Sequence, residues 1–88
     1  MPTFRVLVDR DPTGVSAETD FSQVVATIQE NGGRNVDVSW VRDRDRPRAE
    51  FFVEAEDDRR ARDRAFAISR ALGGSWDLVL AARRVDSD

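Results

Sequence analysis

The sequence predicts an α+β domain with the element order βαββαβ, and three observations carry that reading. Four segments alternate apolar and polar residues at period two. Two others repeat apolar residues at helical spacing, and breaks rich in Gly, Asp and Pro separate them. At 88 residues the chain has room for one domain and none for a second.

The first strand runs from about Phe4 to Asp9, with Phe4, Val6 and Val8 alternating against Arg5, Leu7 and Asp9. After the polar stretch "RDPTGVSAETD", Phe21, Val24, Val25 and Ile28 fall on one stripe of an amphipathic helix. Thr19 or Asp20 is placed to cap its N-terminus, and "NGG" at 31–33 stops it, because glycine accepts the left-handed conformation beyond a helix end. A second strand, Val36 to Arg42, alternates Val36, Val38 and Trp40 against Asp37, Ser39 and Val41. "DRDRPR" at 43–48 then forms a polar hairpin connection into a third strand, Ala49 to Ala55.

The second helix starts near "EDDRR", with acids where the helix dipole favours them, and its apolar stripe is Ala61, Ala65, Ile68 and Leu72. Asp58 with Arg62, and Arg59 with Asp63, stand at i,i+4 spacing on its solvated side. "GG" at 73–74 ends the helix, and a last strand runs from about Trp76 to Arg83. This order is that of the ferredoxin-like, split-βαβ arrangement: a four-stranded antiparallel sheet with both helices on one face. The domain is expected over residues 1–85, with 86–88 a loose acidic tail.

Composition narrows the setting. With 40% hydrophobic and 35% charged residues the chain reads as a soluble globular domain rather than a disordered one. No apolar run approaches the roughly 20 residues that span a bilayer, and the N-terminal "MPTFRVLVDR" lacks a signal-peptide pattern. Zero cysteines exclude disulfides and thiolate metal sites, so the expectation is a cytoplasmic protein without membrane contact. The 14 basic residues, all Arg, are outweighed by 17 acidic ones, and a net charge of −3 argues against nucleic acid as a partner.

In this fold one sheet face is free of helices. Phe4, Val6, Val8, Val36, Val38, Trp40, Phe51 and Val53 form the more apolar set and are assigned to the covered face. Arg5, Leu7, Ser39, Val41, Glu50, Phe52, Glu54 and Val79 are assigned to the open one. Leu7, Val41, Phe52 and Val79 together are more apolar than a face that meets only water, and they mark an interface. A chain this small gains from pairing, so a homodimer or a different protein partner is expected to cover it. RNA fits poorly. "RAEFFVEA" at 48–55 partly resembles the first consensus motif of RNA-recognition domains at Arg48, Phe52 and Val53. Glu50, however, stands where a stacking aromatic belongs, and Glu54 adds a second carboxylate that repels phosphate.

The chain has no His, Cys, Lys or Tyr, the side chains that ordinarily supply acid, base or nucleophile at neutral pH. The expectation is therefore a protein that is not an enzyme and takes no cofactor or metal. One motif offers an alternative. "VLVDRDPT" resembles the first motif of haloacid-dehalogenase-type phosphatases, which would make Asp9 the nucleophile and Asp11 the acid/base of a Mg-dependent phosphoester hydrolase. "FFVEAEDD" ends in acids that could hold the metal. That chemistry also needs a lysine and a larger parallel sheet, and this chain has neither. The glycine-rich, Arg-bearing phosphate loop of acylphosphatases, which share this architecture, is likewise not visible in "DRDPTGVSAETD". Arg42, Arg44, Arg46 and Arg48 gather near the hairpin tip, where Asp43 and Asp45 neutralise half of their charge.

With the order βαββαβ in place, residues 4–85 resemble an ACT-type regulatory domain. "DPTGV" at 11–15 stands at the turn after the first strand, with Thr13 between Pro12 and Gly14. "NVDVSWV" at 35–41 opens the second strand, and "FFVEAEDDRRARDRAFAISRAL" matches the third strand, acidic break and second helix. The resemblance implies a non-catalytic regulatory or binding module that dimerises and can bind a small molecule such as an amino acid. Asp11, Gly14 and Val15 at the turn, with Asn35, would line that site beside a neighbouring protomer. The same turn chemistry also follows from structure alone, since Asp, Pro and Gly are good turn formers.

Overall fold

Period-two alternation splits one sheet into a closed face and an open face. The computed structural model describes residues 1–16 and 18–85, so the tail expected at 86–88 lies outside the described residues. The elements are β1 (Thr3–Arg10), α1 (Ser22–Glu30), β2 (Arg34–Val41), β3 (Arg46–Glu54), α2 (Asp58–Leu72) and β4 (Trp76–Val85). The strands form one antiparallel sheet in the order β2-β3-β1-β4, the ferredoxin-like arrangement. Phe4, Val6 and Val8 of β1 and Ala49, Phe51 and Val53 of β3 bury against Ile28 of α1 and Ala61, Ala65 and Ile68 of α2. Val36, Val38, Leu72 and Leu78 pack at the margin of this core. Alanine at positions 61 and 65 lets α2 lie close to the sheet. Among the described residues no helix is long and apolar enough to cross a membrane.

Three strands begin earlier than the sequence expectation, most of all β3, which begins at Arg46 rather than Ala49, while β2 and β3 each end one residue short of it, at Val41 and Glu54. The hairpin loop is thus only Arg42 to Asp45, and Asp45 closes it with φ +51°, a left-handed conformation that Asp tolerates. Pro47 is buried within β3 opposite Trp40, beyond the last β1–β3 pair at Asp9 and Arg48, where a missing N–H does least damage.

The two helices are capped differently. Asp57 caps α2, its side chain accepting from the Arg60 N–H at 2.9 Å. At α1 neither Thr19 nor Asp20 is the cap. Phe21 occupies that position without a side-chain bond, and Asp20 accepts from the Ser22 N–H one step upstream. Packing decides this: the Phe21 ring meets Trp76 edge-on at 6.2 Å, tying the start of α1 to the start of β4. At the start of α2 the i,i+4 ion pair that forms is Arg60 with Glu56, which stands just ahead of the helix cap, not Asp58–Arg62 or Arg59–Asp63.

The "NGG" stop works through close approach. Gly33 is buried and its N–H donates to the Ile28 carbonyl at 2.8 Å. A Cβ at Gly33 would clash with Ile28 Cγ2 and lie 3.0 Å from the Ile28 carbonyl oxygen. Gly33→Ala is therefore expected to lower stability by about 1–3 kcal/mol through overpacking. Gly74→Ala, where a Cβ meets nothing within 4 Å, is expected to leave stability nearly unchanged. Urea denaturation midpoints of the two variants check this.

Candidate functional site

Directly opposed residues of an antiparallel ladder share a face, so the register maps the open side row by row. Ser39, Arg48, Asp9 and Asp77 form one row across β2, β3, β1 and β4. Asp37, Glu50, Leu7 and Leu80 form the next, followed by Arg34, Phe52, Arg5 and Arg83. Three ion pairs bind this surface together: Arg48–Asp9, Arg5–Glu50 and Arg34–Glu54.

Asp9 is the one charged residue buried among those described, at 3% exposure. Arg48 grips it with both arms of its guanidinium, Nε donating to Oδ1 at 2.6 Å and Nη2 to Oδ2 at 3.1 Å. Arg44 leans in from the hairpin loop at 3.9 Å. Asp9 holds Arg48 still more firmly in its protonated form than an ordinary arginine. This changes the expectation for the hairpin arginines, whose charge was assigned to Asp43 and Asp45. Arg48 and Arg44 turn instead to Asp9, an acid distant in sequence, and the Nε of Arg46 is buried without a partner. Removing Arg48 would strand a buried carboxylate, so Arg48→Met is expected to cost about 3–5 kcal/mol. Asp9→Leu with Arg48→Met is expected to recover most of that loss. Chemical denaturation of the two variants checks it.

Asp9 and Asp11, adjacent in the motif, take separate roles. Asp9 points to the open face, whereas Asp11 sits in the exposed β1–α1 turn and its carboxylate accepts from the Thr13 N–H at 2.9 Å. That turn is braced throughout. Val15 N–H donates to the Pro12 carbonyl, Arg10 Nη1 reaches the carbonyls of Asp11 and Thr13, and Asp11 N–H donates to Ser75. Gly14, with φ +80°, supplies the positive φ that the third residue of this turn needs. Asn35 is not brought near Asp11, Gly14 or Val15 within the chain. It follows Arg34, the β2 residue level with Phe52, on the order of 20 Å along the strand direction from the turn. Its φ of +51° coincides with a register shift between Arg34 and Asp37, so here Asn serves as a left-handed bulge residue.

Of the expected interface set, Leu7, Val41 and Phe52 are half-buried on the open face. Val79 is 46% exposed and is the extra residue of a bulge, so Leu80 rather than Val79 pairs with Leu7. Sequence reasoning missed Leu80, because β4 carries two register shifts that alternation alone does not reveal, and it passed over Asp77 and Arg83, which alternation places on the same face as Val79. Among the described residues no cleft encloses a small molecule, and no group of three acids gathers as a metal site. No known protein family, curated protein or solved structure matches the chain.

Hydrogen bonds from the Thr13 and Ser22 backbone N–H groups hold the carboxyls of Asp11 and Asp20 below the ordinary aspartate range. A depressed folded value means the ionised form favours the fold. Its contribution is full above the unfolded aspartate pKa of about 3.9 and is lost as pH falls through the folded values. Carboxyl-carbon NMR titration is expected to show both groups protonating below about pH 3.9.

Proposed function

We propose that this chain is a small non-catalytic binding module, of a regulatory kind, that self-associates through the open face of its sheet. One observation carries the reading: a half-buried apolar band on the side that neither helix covers. Leu7 and Leu80 face each other across β1 and β4, and Phe52 lies diagonal to Leu7 on β3. The Arg5–Glu50 ion pair crosses between Phe52 and Leu7, while Arg48–Asp9 and Arg34–Glu54 flank them, so apolar and charged groups share this surface as they do in protein interfaces. The absence of His, Cys, Lys and Tyr supports the non-catalytic half of the reading. A small-molecule site stays secondary to this reading: within one chain Asn35 and the β1–α1 turn stand at opposite ends of the sheet, so such a site would take its Asn35 from a neighbouring protomer.

A second copy suits the band better than a polyanion, because Asp9, Asp37, Glu50, Glu54 and Asp77 offset Arg5, Arg34, Arg48 and Arg83 and leave this face no basic footprint. Sedimentation equilibrium at micromolar concentration is expected to return a dimer. Phe52→Glu is expected to weaken it by about tenfold or more, which corresponds to about 1.4 kcal/mol or more. The variant should retain a wild-type circular dichroism spectrum, since the new carboxylate would face Arg5 and Arg34. A monomeric wild type, or a variant that dimerises equally well, would overturn the proposal.

A further inference from the structure

We infer that two copies meet face to face about a two-fold axis lying along the Leu7–Leu80 row, so that Asp77 of each chain meets the partner's Arg83. This rests on the self-association proposed above and specifies its geometry.

The charge pattern of the two strands carries the inference. Along β1 the open-face residues read Arg5, Leu7, Asp9, and along β4 their direct partners read Arg83, Leu80, Asp77. The register shifts of β4 place Asp77 and Arg83 three residues on either side of Leu80, matching the two-residue steps of β1. Like charges therefore stand directly opposite each other at both ends of the leucine row, an arrangement that destabilises a sheet left to itself. β3 relieves one member of each pair: Arg48 takes Asp9, and Glu50 takes Arg5. Asp77 and Arg83 remain exposed, with no ion-pair partner among the described residues.

These two unmatched charges have opposite signs and flank the same apolar centre. A half-turn about the leucine row exchanges the ends of the strands. It lays Asp77 over the partner's Arg83 twice, and the leucines over their own copies. A half-turn about a central axis along the strands would instead lay Asp77 over the partner's Ser39 and Arg83 over the partner's Arg34, so neither unmatched charge would gain an opposite one. Stacked sheets lie about 10 Å apart, a gap that a long Arg and a short Asp can close together. Size points the same way. Four strands about 4.8 Å apart and about eight residues long offer roughly 500 Å² in projection, before side-chain relief is counted. A standard interface buries about 800 Å² per partner, so the contact must be centred on the face rather than at an edge.

Charge exchange tests the geometry, because paired opposite charges across an interface fix its register. Sedimentation equilibrium would compare wild type with Asp77→Arg, Arg83→Asp, the double variant, and Asp37→Arg as control. Each single reversal puts like charges together twice, and each is expected to weaken the dimer by about tenfold or more. The double variant restores opposite charges and is expected to return to within about threefold of wild type. Asp37 lies in the leucine row and faces its own copy in this geometry. Asp37→Arg shifts the net charge as Asp77→Arg does, yet is expected to leave the affinity within about threefold, because like still faces like. Circular dichroism would confirm that every variant is folded.

A dimeric wild type with insensitive single variants, or a double variant no better than the singles, would overturn this geometry and leave self-association standing. An Asp37→Arg loss as large as that of Asp77→Arg would overturn it as well, by assigning the effect to net charge. A monomeric wild type would overturn the underlying reading itself.

Discussion

The sheet of this protein is closed on one side only. α1 and α2 cover the face that carries Phe4, Val6, Val8, Phe51 and Val53, and they leave the other side to the strands themselves. Because side chains alternate, every residue committed to the core commits its neighbour to the opposite face. Open-face positions are therefore as numerous as core positions. They are occupied mainly by Arg, Asp and Glu, in pairs that bridge adjacent strands. Exposed pairs of this kind contribute little to stability, but Arg48–Asp9 differs because Asp9 is buried. It fastens β3 to β1 at the end where the short hairpin and the β1–α1 turn come together, and it gives the open face a rigid floor.

That pair also explains why "VLVDRDPTG" suggests more chemistry than it performs. In a linear reading Asp9 and Asp11 are neighbours in a two-acid motif. In space the strand directs Asp9 onto the sheet and into Arg48, while the turn holds Asp11 against Thr13. Nothing within a few residues of Asp9 announces its partner, which lies 39 positions away and reaches it only through the β1–β3 register. Motif resemblance is local, whereas this charge is settled by a long-range contact.

The same division explains what could be read from the sequence. Core positions such as Val6, Phe51 and Ala65 were legible because alternation and helical spacing are local properties. The strand order follows from the element order through general packing rules. Register is another matter. The displacement of Val79 by Leu80, the bulge at Asn35 and the pairing of Asp77 with Asp9 all depend on register shifts. Those shifts balance turn geometry against packing along whole strands. The α1 cap failed to follow its local signal for a related reason: Phe21 stands at the cap position in contact with Trp76, 55 residues away.

Those shifts are what give the open face its pattern. Under unbroken alternation Asp77 would share its face with Val79, Ala81 and Arg83, and no leucine would stand beside Leu7. The two extra residues of β4 bring Leu80 to the centre while keeping Asp77 and Arg83 at its flanks. Bulges in an edge strand also discourage strand-to-strand pairing at that edge, so association through the backbone of β4 is disfavoured. The irregularity that closes the edge thus composes the face, and the route to a partner lies across the sheet rather than along its border.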